Sequence, residues 1–310
     1  MSASSLLKIG TRASPLAMAQ THETCNKLAA AAGDLAAPDA INIIEIKTTG
    51  DQVQDRPLAE LGGKGLFAKE LDAALLDGRI DLAVHSLKDL ETALPDGTVL
   101  AACLEREDPR DALISNTAAS LDDLPEGAVV GTASLRRQAQ LLHRRPDIRI
   151  TLLRGNIQTR MKKIAAGEAD ATFLALAGLN RMGVADKAAC VLAPDDMLPA
   201  CGQGAIGITC RADDTRVLEY LATINHDPTM TRVTAERAML EVLDGSCRTP
   251  IGGLAELSAT GELHLRGLVA RADGSEIFKT ECRGSAADAG SLGRDAGAEL
   301  RGQAGNDIFT

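Results

Sequence analysis

The chain has 310 residues, more than one hydrophobic core usually serves, so two or three domains are expected. With 45% apolar and 25% charged residues it is too apolar for disorder, and no run approaches the roughly 18 apolar residues of a membrane span. A formal charge of −10, no Trp, one Tyr and four Phe speak against nucleic-acid binding, which relies on phosphate attraction and aromatic stacking.

Met1–Gly10 lacks the basic start and long apolar core of a signal peptide. The seven cysteines form no C-x-x-C pair and read as reduced thiols, so a soluble cytoplasmic protein is expected. The five histidines are scattered without an H-E-x-x-H pattern, and no bound metal is expected.

Short apolar runs alternate with helical patterns over the first two-thirds of the chain, which predicts an α/β fold with a largely parallel sheet. Leu6–Thr11 reads as a strand, and Ser14-Pro15 supplies an N-cap and first-turn proline for a helix to about Ala32. A strand at Ile41–Lys47, a helix at Phe67–Asp77 and a strand at Leu82–Ser86 follow. The glycine-rich stretch from Thr48 to Gly65, with Gly62, Gly63 and Lys64 near its end, has the length of a lid.

A second α/β unit follows Glu107-Asp108-Pro109-Arg110. Its strands are expected at Ala128–Gly131, Ile148–Leu153 and Ala171–Leu176, with helices from Ser134 and Asn156. Pro194–Pro199 reads as its exit, and Ile206–Cys210 as a strand suited to return into the first sheet. Near the C-terminus come a helix at Thr229–Leu243, a hairpin turning at Asp273-Gly274 and a final helix near Ala286–Leu300. The expected domains are 1–104 with 205–222, then 105–204, then a small α+β domain at 223–310.

Residues Arg136–Lys163 hold nine of the 33 Lys and Arg residues and a single acid, Asp147. Such a cluster in an acidic chain points to a small polyanion held in a cleft. Four strand ends carry the polar groups: Thr11-Arg12-Ala13-Ser14, His85-Ser86-Leu87-Lys88-Asp89, Thr132-Ala133-Ser134-Leu135-Arg136-Arg137, and Arg154-Gly155-Asn156 with Arg160. Parallel α/β sheets place ligands at such ends, and arginine forks match carboxylates. Any one junction alone would read as a helix cap beside a solvated arginine, whereas four describe an anion-lined cleft between two lobes.

Asp89 is a carboxylate among cations, either a salt-bridge partner or a group that stabilises a cation during reaction. Cys247 lies on a loop rich in glycine and proline beside Arg248, and reads either as a small buried hydrophobe or as a reactive thiolate. Gly202-Gln203-Gly204-Ala205-Ile206-Gly207 matches G-x-G-x-x-G but enters a strand rather than a helix, so it is no dinucleotide fingerprint. Gly62-Gly63-Lys64-Gly65 is no Walker loop, because Gly65 stands where Ser or Thr would hold a metal.

Taken together these motifs resemble the porphobilinogen deaminase (hydroxymethylbilane synthase) family over nearly the whole chain. The likeness also rests on Ile9-Gly10-Thr11-Arg12, Glu105–Asp111, Ala177-Gly178-Leu179 and the Cys247 loop. It implies two α/β lobes like type II periplasmic binding proteins plus the small C-terminal α+β domain. It further implies a monomeric transferase that adds four porphobilinogen units, each with loss of ammonia, to a dipyrromethane cofactor joined to Cys247 by a thioether. Porphobilinogen and polypyrrole intermediates are the implied partners, with no nucleic acid and no membrane. Matched residue by residue, Asp89 is the catalytic carboxylate. Lys88, Ser86, Thr132, Ser134, Arg136, Arg137, Arg154 and Arg160 bind the cofactor. Arg12, Ser14, Arg154, Arg160 and Gln203 bind substrate, and Gly62, Gly63 and Lys64 belong to the lid. The rival reading is a bilobal small-anion binding protein without chemistry, which leaves Asp89 and the Cys247 loop unexplained and would show the bare polypeptide mass.

Overall fold

The computed structural model describes residues 6–52, 65, 67–243 and 249–309. These fall into two compact units, one made of the described residues within 1–53, 63–107 and 205–230, the other of those within 108–204 and 231–310.

The first unit is built on a five-stranded sheet of β1 (Leu7–Thr11), β2 (Ile41–Glu45), β3 (Leu82–Ser86), β4 (Thr98–Cys103) and β10 (Ile206–Arg211), in the order β2-β1-β3-β10-β4. Helices α1 (Pro15–Ala31), α2 (Thr49–Gln52), α3 (Lys69–Leu76) and α7 (Thr215–Ala222) accompany it. Leu7, Ile9, Leu82, Ile206 and Ile208 form its buried centre with Leu28 of α1 and Val217 of α7. Gly10 lets α3 and the chain before β3 close on β1, since a Cβ there would sit 2.3 Å from Ile80 Cδ1.

The second unit repeats the plan with β5 (Asp111–Ser115), β6 (Val129–Gly131), β7 (Arg149–Thr151), β8 (Ala171–Ala175) and β9 (Cys190–Val191), ordered β7-β6-β8-β5-β9. Helices α4 (Leu135–Arg144), α5 (Ile157–Ala165) and α6 (Leu176–Arg181) follow β6, β7 and β8. The same unit holds α8 (Asp227–Val242) beyond its first turn, and a meander of β11 (Ile251–Leu257), β12 (Glu262–Ala270) and β13 (Ile277–Ser285) closed by α9 (Ala289–Ala304). Ala139 of α4 packs with Leu198, Leu254, Leu268 and Ala270, tying the five-stranded sheet's layer to the meander.

Both large sheets are largely parallel, as the alternation predicts, and each holds one antiparallel strand. β10 runs antiparallel to β3 and β4, and β5 antiparallel to β8 and β9. The physical reason is the route of the chain. Parallel neighbours such as β1 and β3 arise through helical crossovers, whereas β5 and β10 each enter after the chain leaves the other sheet. This one inserted antiparallel strand stands at the same place, fourth in the order, in both sheets.

The meander has a strand that periodicity does not reveal. Gly252 and Gly253 break the alternation of β11, yet they are what packing requires. Gly253 pairs with Gly267 across the strands, and a Cβ on either would stand 2.5 Å from the Met239 side chain. β4, β5 and β9 and helices α6 and α7 also lie outside the predicted elements. The helix expected from Phe67 begins at Lys69, and the strand expected to Lys47 ends at Glu45.

Candidate active site and anion-binding cluster

In the first unit the chain leaves β1 at Thr11 and starts α1 on Ser14, whose hydroxyl caps the helix by accepting from Ala17 N at 3.3 Å. Arg12 lies in the turn between them. Its guanidinium stands over the Phe67 ring, 4.2 Å from the centroid, and Nη1 is 3.9 Å from Asp89 Oδ2. β3 ends at Ser86, which donates to Gln20 Oε1 of α1 at 2.9 Å. A single 3-10 turn, Leu87–Asp89, then carries Lys88 and Asp89 outward while Leu87 stays buried, its N–H donating to Ala205 O at 3.0 Å. An exposed carboxylate is thereby mounted on a rigid strand end with Arg12 beside it. His85 is a core residue, its Nε2 3.0 Å from Thr209 Oγ1.

In the second unit Thr132 Oγ1 accepts from Ser134 N at 3.1 Å, and Ser134 caps α4 by accepting from Arg137 N at 3.4 Å. The first turn of α4 carries two arginines and no acid. Both turn inward: Arg136 is 6% exposed and Arg137 5%. They meet one fully buried carboxylate, Asp111 at the head of β5. Arg137 Nη2 donates to its Oδ1 at 2.8 Å, and Arg136 Nη2 makes an ion contact with Oδ2 at 2.8 Å. Arg136 Nη1 donates to Leu198 O at 2.7 Å and Arg137 Nη1 to Phe173 O at 2.8 Å. Gln203 is equally buried, its amide donating to Pro109 O at 2.7 Å and to Asp111 Oδ1 at 2.9 Å. Burial first, and the Arg137 charge after it, holds the Arg136 pKa below the ordinary guanidinium value, while Asp111 opposes both.

Arg154 is buried where β7 gives way to α5, and Asn156 caps that helix by accepting from Thr159 N at 2.8 Å. Between them Gly155 adopts φ 123°, and a Cβ there would lie 2.8 Å from Thr159. The Gly155 carbonyl accepts from Arg160 Nε at 2.9 Å, fixing that half-buried side chain.

The electrostatic balance of the second unit's cluster is positive. Two buried guanidiniums at the positive end of a helix face one carboxylate, and Arg137 Nε is buried without a hydrogen-bond partner among the described residues. Such a donor set suits a bound carboxylate, and so fits an anionic pyrrole cofactor.

The structure thus brings Arg12, Ser14, Ser86, Lys88 and Asp89 to adjoining strand ends of one sheet, and Thr132, Ser134, Arg136, Arg137, Arg154 and Arg160 to those of the other. Gln203 enters the second group through Asp111. Cys247, Gly62, Gly63 and Lys64 lie outside the described residues. Sequence reasoning gives no role to Asp111, Gln20 or Phe67. Asp111 closes the Glu105–Asp111 motif, but nothing local tells that a lone aspartate faces two arginines about 25 residues further on.

A family model described as "Porphobilinogen deaminase, dipyromethane cofactor binding domain" matches residues 7–219, and one described as "Porphobilinogen deaminase, C-terminal domain" matches residues 230–302. The chain is 52% identical over 307 residues to the chloroplastic porphobilinogen deaminase of Oryza sativa subsp. japonica, a match covering 98% of this chain and 86% of that protein. It is 54% identical to the porphobilinogen deaminases of Nitrobacter winogradskyi and Paracoccus denitrificans, over 98% of this chain and 96% of each. The chain belongs to the porphobilinogen deaminase family.

Proposed function

We propose that this member of the family is a transferase of tetrapyrrole biosynthesis. It joins four porphobilinogen molecules, with loss of ammonia from each, into linear hydroxymethylbilane. Dipyrromethane, when bound, supplies the primer to which these units are added. The observation that carries the reading is the buried excess of positive charge at Arg136, Arg137 and Asp111, inside the segment that matches the cofactor-binding model.

In this reading Arg136, Arg137, Arg154, Arg160 and Lys88, with the hydroxyls of Ser86, Thr132 and Ser134, hold the carboxylates of the cofactor. Arg12, Ser14, Arg154 and Arg160 hold those of incoming substrate, and Gln203 acts through Asp111. Asp89 accepts pyrrole N–H groups and stabilises the cation that ammonia loss leaves on the substrate, an electrostatic role suited to a carboxylate on a rigid turn. Gly62, Gly63 and Lys64 belong to a lid. The division into domains 1–104 with 205–222, 105–204 and 223–310 is part of the proposal, as are a monomeric state and a cytoplasmic location. Among the described residues no helix is long and apolar enough to cross a membrane.

Cys247 is proposed as the attachment point through a thioether. Burial raises the pKa of Cys25 and Cys210 to about 11 and pushes those of Cys190 and Cys282 upward, so these thiols are poor nucleophiles at neutral pH. Intact mass of the purified chain, with a pyrrole-specific acidic aldehyde reagent, tests the assignment. Cys247→Ser should be folded, at the bare polypeptide mass and inactive, because an alcohol is a far weaker nucleophile than a thiolate. Cys25→Ser and Cys282→Ser should keep both cofactor and activity. Turnover by Cys247→Ser at the wild-type rate sinks the attachment site, and a bare mass for the active wild type sinks the covalent cofactor.

A further inference from the structure

The first turn of α4 is an unfavourable place for two adjacent arginines. The helix terminus already carries about half a positive charge, and neither side chain reaches solvent. Left to themselves the guanidiniums would repel each other and turn outward. What holds them is one residue at the head of β5. Asp111 gives one oxygen to each arginine, at 2.8 Å in both cases, and Gln203 fixes the carboxylate by donating to Oδ1 at 2.9 Å. A backbone carbonyl grips the other Nη of each arginine, Leu198 O for Arg136 and Phe173 O for Arg137. With two nitrogens held, each guanidinium plane is set before any ligand arrives.

We propose that Asp111 is a positioning residue for cofactor assembly. It sorts the two arginine forks onto separate oxygens, and by cancelling one of two buried charges leaves a single positive charge for a ligand carboxylate. The inference rests on the reading that Arg136 and Arg137 receive the cofactor. It concerns the group beneath them, fully buried at the head of β5. Because Asp111 is fully buried on a strand paired on both sides, it acts as a permanent clamp and not as a stand-in displaced by the ligand.

The test is the rate at which full-length apoprotein, given porphobilinogen, acquires the mass of the cofactor, two substrate units less two molecules of ammonia. Asp111→Asn keeps shape and loses charge, and should load roughly ten- to a hundredfold more slowly, the range for a lost buried charge-assisted contact. Arg137→Gln should also load slowly. The double variant should be no slower than Arg137→Gln by more than about twofold, since residues acting through one another are not additive. Gln203→Leu leaves every charge in place and loosens the carboxylate; it should load several-fold more slowly, and serves if Asp111→Asn does not fold. Gly293→Ala, a destabilising change between α8 and α9, should load at the wild-type rate, which separates positioning from general loss of stability.

Wild-type loading by folded Asp111→Asn or Gln203→Leu overturns the clamp, as do losses that multiply in the double variant. Normal loading by Arg136→Leu and Arg137→Gln would instead overturn the cofactor assignment beneath it. Slow loading by those two with normal loading by Asp111→Asn removes the Asp111 inference alone.

Discussion

Asp89 and Arg12 sit 3.9 Å apart at neighbouring strand ends, a separation at the outer limit of an ion pair, and the carboxylate is about one-third exposed. A strong structural bridge would be shorter and more buried. If Asp89 stabilises a substrate cation, its charge matters more than its volume. Asp89→Glu should retain weak activity with intermediates accumulating, and Asp89→Asn should be nearly inactive. The difference expected for such a group is roughly a hundred- to a thousandfold in rate. Single-turnover rates on variants shown by mass to carry the cofactor decide it, and equal rates for Asn and wild type would reduce Asp89 to a structural residue. Arg12 has a second partner in Phe67, so Arg12→Lys keeps the charge but loses both the stack and the planar fork. Arg12→Leu should leave the cofactor in place and stall later additions, visible as trapped intermediates in the mass spectrum.

The junctions that look like binding motifs in the sequence are also helix starts, so the same residues serve the fold. Ser14, Ser134 and Asn156 all accept from the N–H three residues on. Asn156→Ala should therefore cost about 1 kcal/mol in urea unfolding, apart from any effect on Arg154 and Arg160. Helix α3 carries a different liability. Burial, and then repulsion from Glu91, raises the pKa of Asp72 to about 6, and its Oδ1 is buried without a partner among the described residues. A carboxylate with a raised folded-state pKa binds more protons folded than unfolded between its ordinary value and about 6. Stability therefore falls as pH rises through that window. Asp72→Asn should raise the melting temperature at pH 7.5 and match wild type near pH 4, and a constant offset at both pH values would contradict this origin. The α8–α9 contact sets a stricter limit. A Cβ on Gly293 would lie 2.2 Å from Ala235 O and one on Gly297 2.8 Å from Met239 O. Gly293→Ala should separate the helices and cost on the order of 1–3 kcal/mol, typical of overpacking, as read from the denaturation midpoint.

At the scale of the whole molecule the proposed function has a chain of formal charge −10 bind an anionic substrate through a local reversal of sign. Substrate capture from solution should thus be screened by salt. The KM for porphobilinogen should rise several-fold when ionic strength takes the Debye length from about 10 Å toward 3 Å. Cofactor joined through a thioether should stay in place at any ionic strength, so the salt effect should fall on KM and leave the intact mass unchanged. A KM indifferent to salt would argue that substrate is held by neutral donors. The repeated sheet order gives each unit the same set of strand ends for such groups, and an antiparallel strand at the same position in each.

The local features were legible in the sequence, because they depend on residues close together along the chain. β3 falls on the predicted span, and α1, α4 and α5 begin where Ser14, Ser134 and Asn156 cap them. The clustered arginines and the ordered motifs carried the family. What only the tertiary structure decided involves partners far apart. Strand direction at β5 and β10 follows from where the chain comes from, not from composition. β11 is hidden by Gly252, which lies against Leu198 O and Leu268, and by Gly253, which admits Met239. Arg136 and Arg137, which in sequence read as cations lining a cleft, are buried because Asp111 offers one oxygen to each. A charge in a sequence has a sign but no surroundings, and it is packing that supplies the counter-charge and removes the water.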